Sequence, residues 1–149
     1  MIVLDANALM MPVECDLRLF AELDRVTADL TDVGVGVGTG AETGTGVGRG
    51  EDGFDPAVPR AVLAELERLA AGAGEAATAA GVGLDLARER CRVVEHDATS
   101  GDEAVFECAT RDGVAGAVTN DGPLRRRLLD AGVPVISLRG ENKLAVTRP

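Results

Sequence analysis

The chain has 149 residues, of which 46% are hydrophobic, and its formal net charge is −10. This length suits one domain with a buried core, and the hydrophobic content argues against an intrinsically disordered chain. No apolar run is long enough for a membrane-spanning helix, and the N-terminus lacks the basic segment of a secretory signal. We therefore expect a cytoplasmic protein with a single domain over residues 1–149 and no membrane partner.

The charge balance is unusual because Asp and Glu total 25, while fourteen of the fifteen basic residues are Arg. An acidic, lysine-poor surface suits a cytoplasm at high salt, where screening weakens the repulsion between carboxylates. This composition predicts a halophilic source. The net charge disfavours a nucleic-acid partner at low salt. In strong salt, however, counterion release contributes little to binding, so the residues of local sites must show whether the protein binds nucleic acid.

Histidine and cysteine offer little material for a metal site or a catalytic triad. The three cysteines are far apart, which argues against a disulfide framework or a zinc site. His96 is the only histidine. We expect it to lie at the end of a strand, bonded to local backbone.

The first third of the chain predicts one strand and one helix. Residues 1–4 form an apolar run that suits a buried strand ending at Asp5. A loop is expected through Pro12, followed by a helix over 16–30 with Asp16 as its N-cap. The buried stripe of that helix is expected to comprise Leu17, Leu19, Phe20, Leu23 and Val26.

Residues 33–53 are glycine-rich and of low complexity. So much glycine cannot hold a helix or a central strand without a large entropic cost. The segment contains neither G-K-S/T nor a G-x-G-x-x-G between a strand and a helix, so a nucleotide-binding loop is rejected. We predict a flexible insertion.

Strands and helices alternate through the remaining chain. This order predicts a three-layer α/β/α domain with a mainly parallel central sheet of about five strands. The final residues are expected to form a short strand or a tail. The predicted strands are 56–58, 91–95, 114–119 and 133–138, and the predicted helices are 59–71, 75–90, 102–111 and 123–131. The helix over 75–90 is expected to be interrupted by Gly81 and Gly83.

Two acids stand where predicted strands end: Asp5 and Asp121. Ligands of parallel α/β sheets gather at the carboxyl ends of the strands, so the two carboxylates are expected to converge. Like charges resist ionising together, and a divalent cation relieves that repulsion. Mg²⁺ commonly takes one or two carboxylates together with water and substrate phosphate.

Two further acids are less certain from periodicity. Ser100 and Glu103 have the spacing of a capping box, and helical periodicity places Asp102 near the apolar face of that helix. Asp102 could bind a metal or merely complement the helix dipole. Glu65 and Glu67 flank opposite edges of the apolar stripe of their helix, and periodicity does not choose between them.

Four segments in order resemble the PIN-domain ribonuclease family. They are IVLDANALMMPVECDLRLFAELDRV (2–26), PAVPRAVLAELERL (56–69), SGDEAVFECAT (100–110) and GAVTNDGPLRRRLLDAGVPVISLR (116–139). The resemblance is to archaeal PIN proteins and to the related PIN endonuclease of the eukaryotic small-subunit processome, which share the fold of VapC-like nucleases. It covers nearly the whole chain except residues 33–53.

The resemblance implies an endoribonuclease that uses Mg²⁺ or Mn²⁺. The residues that match the acidic quartet of the family are Asp5, Glu65, Asp102 and Asp121, and only this match favours Glu65 over Glu67. Asn7, Thr119 and Asn120 match polar residues that would orient the carboxylates or a metal-bound water. The lack of Trp and Tyr puts reading of single-stranded RNA by base stacking in doubt.

Arg125, Arg126 and Arg127 follow Asp121 on a predicted helix. They could bind the RNA backbone, or they could form a solvated helix face. No segment of the sequence determines the oligomeric state, although PIN-like proteins often form homodimers.

Three functions remain open on the sequence. The resemblance favours ribosomal RNA processing, with RNA or a pre-ribosome as the partner. The alternatives are a toxin-type VapC-like nuclease with an antitoxin partner, and a catalytically silent PIN scaffold that binds RNA or protein. A phosphatase or receiver domain with Asp5 as nucleophile is disfavoured because no D-x-D pair stands at the start and Lys143 is the only lysine.

Overall fold

The computed structural model describes residues 1–32 and 54–149, so the expected glycine-rich insertion at 33–53 lies outside the described residues. Within these residues, six strands form one sheet in the order β3-β2-β1-β4-β5-β6. Strands β1 to β5 are parallel, and β6 pairs antiparallel with β5. The predicted α/β class is confirmed. The strands are β1 (Ile2–Leu4), β2 (Pro56–Pro59), β3 (Arg92–Val94), β4 (Gly116–Val118), β5 (Val135–Arg139) and β6 (Lys143–Thr147).

Helices cover both faces of the sheet. Successive parallel strands need right-handed crossovers, so the helices between β1 and β3 lie on one face and those between β3 and β5 on the other. The contacts agree, because α4 packs on α1 and α3, and α5 packs on α6; α5 also contacts α3. In the described residues, no helix is long and apolar enough to cross a membrane. The helices are α1 (Ala6–Glu14), α2 (Leu19–Asp32), α3 (Arg60–Ala70), α4 (Gly74–Arg90), α5 (Gly101–Ala109) and α6 (Gly122–Asp130).

The first strand lies where it was predicted, but the chain after it departs from the predicted loop. Helix α1 replaces the loop expected through Pro12, which lies inside the helix. The loss of one backbone hydrogen bond at Pro12 is offset by burial of the apolar side of α1. Asp16 does not cap α2, because its φ of 51° places it in a left-handed turn between the two helices. The apolar stripe predicted for α2 is nevertheless buried.

The remaining elements match the prediction to within one or two residues at each end, which is the usual uncertainty of helix boundaries. Gly132 follows α6 with a φ of 87°, as expected for a glycine at a helix C-terminus. His96 accepts a hydrogen bond at Nε2 from the backbone N–H of Ala61, at 2.9 Å. Its expected bond to backbone is therefore confirmed, although the partner lies in the first turn of α3 rather than nearby in sequence.

Helix α4 runs without a break through two glycines that interrupt its sequence pattern. A Cβ on Gly83 would lie 2.6 Å from the carbonyl oxygen of Leu9, whereas a Cβ on Gly81 would meet nothing within 4 Å. Gly83 thus permits close contact between the backbones of α1 and α4. Since α1 begins at Asp5, this contact also helps to fix the position of that residue.

We expect opposite effects on stability when these two glycines are replaced by alanine. Gly81→Ala should stabilise the protein by up to about 1 kcal/mol, because alanine is the better helix former. Gly83→Ala should destabilise it by about 1–3 kcal/mol, because the new methyl group forces α1 and α4 apart. Urea unfolding at constant salt measures both free energies. Equal effects of the two substitutions would contradict the close packing at Gly83.

Candidate active site

The carboxylate of Asp5 lies at the carboxyl end of β1, the strand between β2 and β4. Asp5 is the N-cap of α1, where its Oδ1 accepts a hydrogen bond from the backbone N–H of Ala8 at 2.8 Å. The residue is only 5% exposed. Burial raises the pKa of Asp5 to about 7, although the bonds from Thr119 and Ala8 lower it, and the charges of Asp102 and Asp121 raise it further. The structure therefore brings three of the expected acids within electrostatic reach of one another.

Thr119 links Asp5 to Asp121 at the end of β4. Its hydroxyl donates a hydrogen bond to Oδ2 of Asp5 and accepts one from the backbone N–H of Asp121 at 3.1 Å. Thr119 is fully buried. Asp121 is the N-cap of α6, where Oδ2 accepts from the backbone N–H of Leu124 at 2.9 Å. One hydroxyl thus orients Asp5 and anchors the turn that carries Asp121.

Asp102 lies in the first turn of α5 and is exposed. Partial burial raises its pKa, and the charges of Asp121 and Glu103 add to the shift, while Arg127 opposes it. Only half of the expected capping box forms. Ser100 accepts a hydrogen bond from the backbone N–H of Glu103, but the carboxylate of Glu103 pairs with Arg127 at 2.7 Å instead of returning to Ser100.

The structure distinguishes Glu65 from Glu67, which periodicity could not do. Glu67 is exposed and forms a salt bridge with Arg88 of α4 at 3.0 Å. Glu65 is half-buried and faces the first turn of α5, where a Cβ on Gly101 would lie 2.6 Å from its Oε1. Gly101 was not among the site residues predicted from the sequence. The absence of a side chain at position 101 leaves room for the carboxylate of Glu65 against the helical turn that also carries Asp102.

Three helices, α1, α5 and α6, begin at this cluster of acids. Their N-caps are Asp5, Ser100 and Asp121. Helix N-termini carry partial positive charge and unpaired N–H groups, which favour nearby anions. The arrangement stabilises carboxylates there and also suits an approaching phosphate.

The two asparagines expected to support the site have other surroundings. Asn7 is exposed, with no hydrogen bond to the acids in the described part of the chain. The amide of Asn120 accepts from the backbone N–H of Leu138 at 2.8 Å and donates to the sulfur of Met11 at 3.6 Å. Asn120 therefore ties the loop after β4 to β5 and α1, and neither bond reaches a carboxylate.

The three arginines of α6 differ in their environments. Arg127 pairs with Glu103, and its guanidinium lies 4.3 Å from the ring centre of Phe106. Arg125 is half-buried, and its Nε has no hydrogen-bond partner. Arg126 is exposed and makes no ion pair within residues 1–32 and 54–149. Among the described residues, Arg126 is therefore the exposed arginine of the three that has no acidic partner.

The donor chemistry of the cluster fits a divalent metal ion. The acids supply hard oxygen ligands, and Asp5 is a buried carboxyl whose ionisation is disfavoured by burial and by two neighbouring charges. A cation would offset both effects. Among the described residues, no three His, Cys, Asp or Glu side chains already converge as a complete ligand group. Mg²⁺ does not require such a cage, because it retains several waters and uses few carboxylates.

Comparison with known proteins identifies the family. A family model for the PIN-like domain matches residues 2–50 and 36–141. The chain therefore belongs to the PIN-like domain family and has the fold of PIN-domain nucleases, as its sequence motifs predicted.

A solved structure, that of the PIN domain endonuclease Utp24, matches with a TM-score of 0.70 and 20% sequence identity. The match covers 99% of this chain and 91% of that one. At this identity the likeness shows the fold alone. In all, 22 solved chains match, whereas no curated protein does.

We expect the raised pKa of Asp5 to make stability depend on pH in the absence of metal. The folded protein holds a proton on Asp5 up to a pH of about 7, whereas the unfolded chain releases it near its ordinary pKa of 3.8. Ionisation of Asp5 therefore lowers the free energy of unfolding as the pH rises between these values, by up to about 1.4 kcal/mol per pH unit.

The neutral variant Asp5→Asn tests this expectation, because asparagine is also a good N-cap. In the presence of a chelator it should be more stable than the wild type at about pH 8, and the difference should vanish near pH 4. Denaturant unfolding across this range measures the difference. A difference that does not change with pH would mean that Asp5 is ionised throughout.

We expect Gly101→Ala to lower nuclease activity while preserving the fold. Alanine suits the first turn of α5, but its methyl group would displace the carboxylate of Glu65. A misplaced active-site group typically costs about tenfold to hundredfold in rate. Cleavage rates and unfolding midpoints are measured together, with Gly81→Ala as the control. Unchanged cleavage by Gly101→Ala would show that the position of Glu65 against α5 is not required.

Proposed function

We propose that this protein is a divalent-metal-dependent endoribonuclease that hydrolyses RNA phosphodiester bonds. The observation that carries the proposal is the buried carboxylate of Asp5, which interacts electrostatically with Asp102 and Asp121 at the edge of the sheet. The sheet order supports it. The chain leaves β1 toward β2 and leaves β4 toward β5, so the crevice between β1 and β4 is the topological switch point where α/β proteins bind ligands.

The residues that would hold Mg²⁺ or Mn²⁺ are Asp5, Asp102 and Asp121, with Glu65 beside them. When bound, such a cation lowers the pKa of a coordinated water and offsets negative charge on the phosphate. The protein contributes orientation. Thr119 holds Oδ2 of Asp5, and the N-cap bond of Asp121 holds one of its oxygens, so each carboxylate has a restrained direction.

The negative charge of the protein does not prevent RNA binding at this edge. The N-termini of three helices face the site and favour a phosphate group. Arg126, close to Asp121 in the chain, offers a guanidinium that has no ion pair among the described residues, and Arg125 precedes it. Arg127 would have to give up Glu103 before it could bind RNA. We therefore assign binding of the RNA backbone to Arg126 before the other two arginines.

Processing of ribosomal RNA is the role that we favour over a toxin-type nuclease or a silent scaffold. Its support is the resemblance of the four sequence motifs to archaeal PIN proteins and to the PIN endonuclease of the small-subunit processome, and the match to the PIN domain endonuclease Utp24 agrees with it in fold. The acidic composition further suggests a halophilic cytoplasm, so the assays belong at high salt.

We expect the wild type to cut RNA only with a divalent cation, and Asp5→Asn and Asp102→Asn to lose about hundredfold or more in rate. Two controls are matched to these residues. The control for the aspartate variants is Asp112→Asn, which changes an exposed aspartate beyond the other end of α5. The control for Glu65→Gln is Glu67→Gln, which changes another glutamate of α3. Both controls should retain activity.

Cleavage of structured RNA, single-stranded RNA and single-stranded DNA at high salt, with Mg²⁺, Mn²⁺ or chelator, measures these effects. Cutting that persists in chelator would refute metal dependence. Binding of RNA by a wild type that cuts no substrate with either metal would favour the scaffold instead. Inhibition of RNA cleavage by the protein product of an adjacent gene would favour the toxin-type nuclease.

A further inference from the structure

A groove of about 380 Å³ extends from the acid cluster between α3 and the first turn of α5. Its volume lies within the range of about 300–1,000 Å³ that is typical of ligand pockets. Two of its lining residues, Glu65 and Asp102, belong to the candidate active site, so the groove opens directly onto the acids. The remaining lining residues are Ala61, Ala64, Arg68, Thr99, Ser100 and Gly101.

The walls of the groove leave room for a polymer backbone. Ala61 and Ala64 are three residues apart on α3 and therefore neighbours on one helix face. Gly101 lies opposite and has no side chain. Thr99 and Ser100 supply hydroxyl groups, which can bond to sugar or phosphate oxygens. Small residues and hydroxyl groups therefore form much of the lining, and Glu65, Arg68 and Asp102 are its charged residues.

Arg68 supplies the positive charge of the groove. It is exposed and lies one helical turn beyond Glu65, yet in the described part of the chain it forms no ion pair, hydrogen bond or ring contact. Several other arginines form salt bridges with acids of the described residues, among them Arg25, Arg60, Arg88, Arg92, Arg111 and Arg127. In a chain with a net charge of −10, a guanidinium that stays unpaired beside two acids is available to an anion from outside.

We propose that this groove is the subsite for the nucleotide next to the bond that is cut, and that Arg68 binds the phosphate of that nucleotide. A guanidinium can bind a phosphate through two parallel hydrogen bonds. Helix α3 follows β2 and α6 follows β4, with β1 and Asp5 between them. The RNA strand therefore crosses the acids between Arg68 on one side and Arg126 on the other.

This inference rests on the proposed nuclease function, but binding tests it separately from cleavage. The probe is a short fluorescent single-stranded RNA, bound to the protein in chelator so that no cleavage occurs. Arg68→Ala should weaken binding about tenfold, as expected for the loss of one charged hydrogen-bonded contact. It should also reduce the dependence of log affinity on log salt by about one.

The matched control is Arg18→Ala. Arg18 is also exposed and unpaired among the described residues, but it follows α1, which carries the chain away from the edge where Asp5 lies. Its replacement should leave RNA affinity unchanged. Arg68→Lys keeps the charge and loses the paired hydrogen bonds, so its affinity should fall between those of the wild type and Arg68→Ala. Equal binding by Arg68→Ala and the wild type would overturn the proposal.

Cleavage then locates the contact along the RNA. Arg68→Ala should raise KM about tenfold with little change in kcat, because Arg68 binds the strand and not the reacting atoms. Replacing single phosphates of the RNA by neutral methylphosphonates should weaken RNA binding by the wild type at one position next to the cut. The same replacement should not weaken RNA binding by Arg68→Ala any further. If it weakened both proteins equally at every position, Arg68 would not contact a phosphate, whether or not the nuclease function holds.

Discussion

The burial of one carboxylate, that of Asp5, is the constraint on which the rest of the structure depends. Placing an ionisable group at the end of the central strand is costly unless its oxygens are bonded. The backbone N–H of Ala8 satisfies one oxygen and the hydroxyl of Thr119 the other. The first bond requires a helix to begin at once after β1, and the second requires β4 to lie beside β1 in its observed register. The remaining cost is the raised pKa, which a bound cation would offset.

Ion pairs with acids engage several of the exposed arginines. Examples are Arg60 with Glu95 and Arg92 with Asp55. Such exposed pairs contribute little to stability, but each paired guanidinium is less available to another anion. Near the acid cluster, Arg68 and Arg126 have no acidic partner among the described residues, whereas Arg127 is paired with Glu103. A strongly acidic protein can thus present a local, oriented positive charge to a phosphate without a broad basic face.

The elements that the sequence predicted well are those whose signals are local. Apolar runs indicated the strands, and helical periodicity indicated α2, α3, α5 and α6, because burial of one face governs each of them. The loop expected after Asp5 was wrong because the local signal of Pro12 was outweighed by burial of the apolar side of α1. The interruption expected in α4 was wrong for a related reason. Gly83, which looks like a helix breaker, is a contact point with Leu9.

By itself, the sequence determined the fold class, the strand ends that carry Asp5 and Asp121, and membership of the PIN-like domain family, because these depend on local pattern and on motifs. Only the tertiary structure decided that Glu65 faces the cluster while Glu67 pairs with Arg88, and that Thr119 joins Asp5 to Asp121. These are contacts between elements far apart in the chain. Periodicity states which side of a helix a residue occupies, but the packing of the sheet and its helices decides what stands opposite.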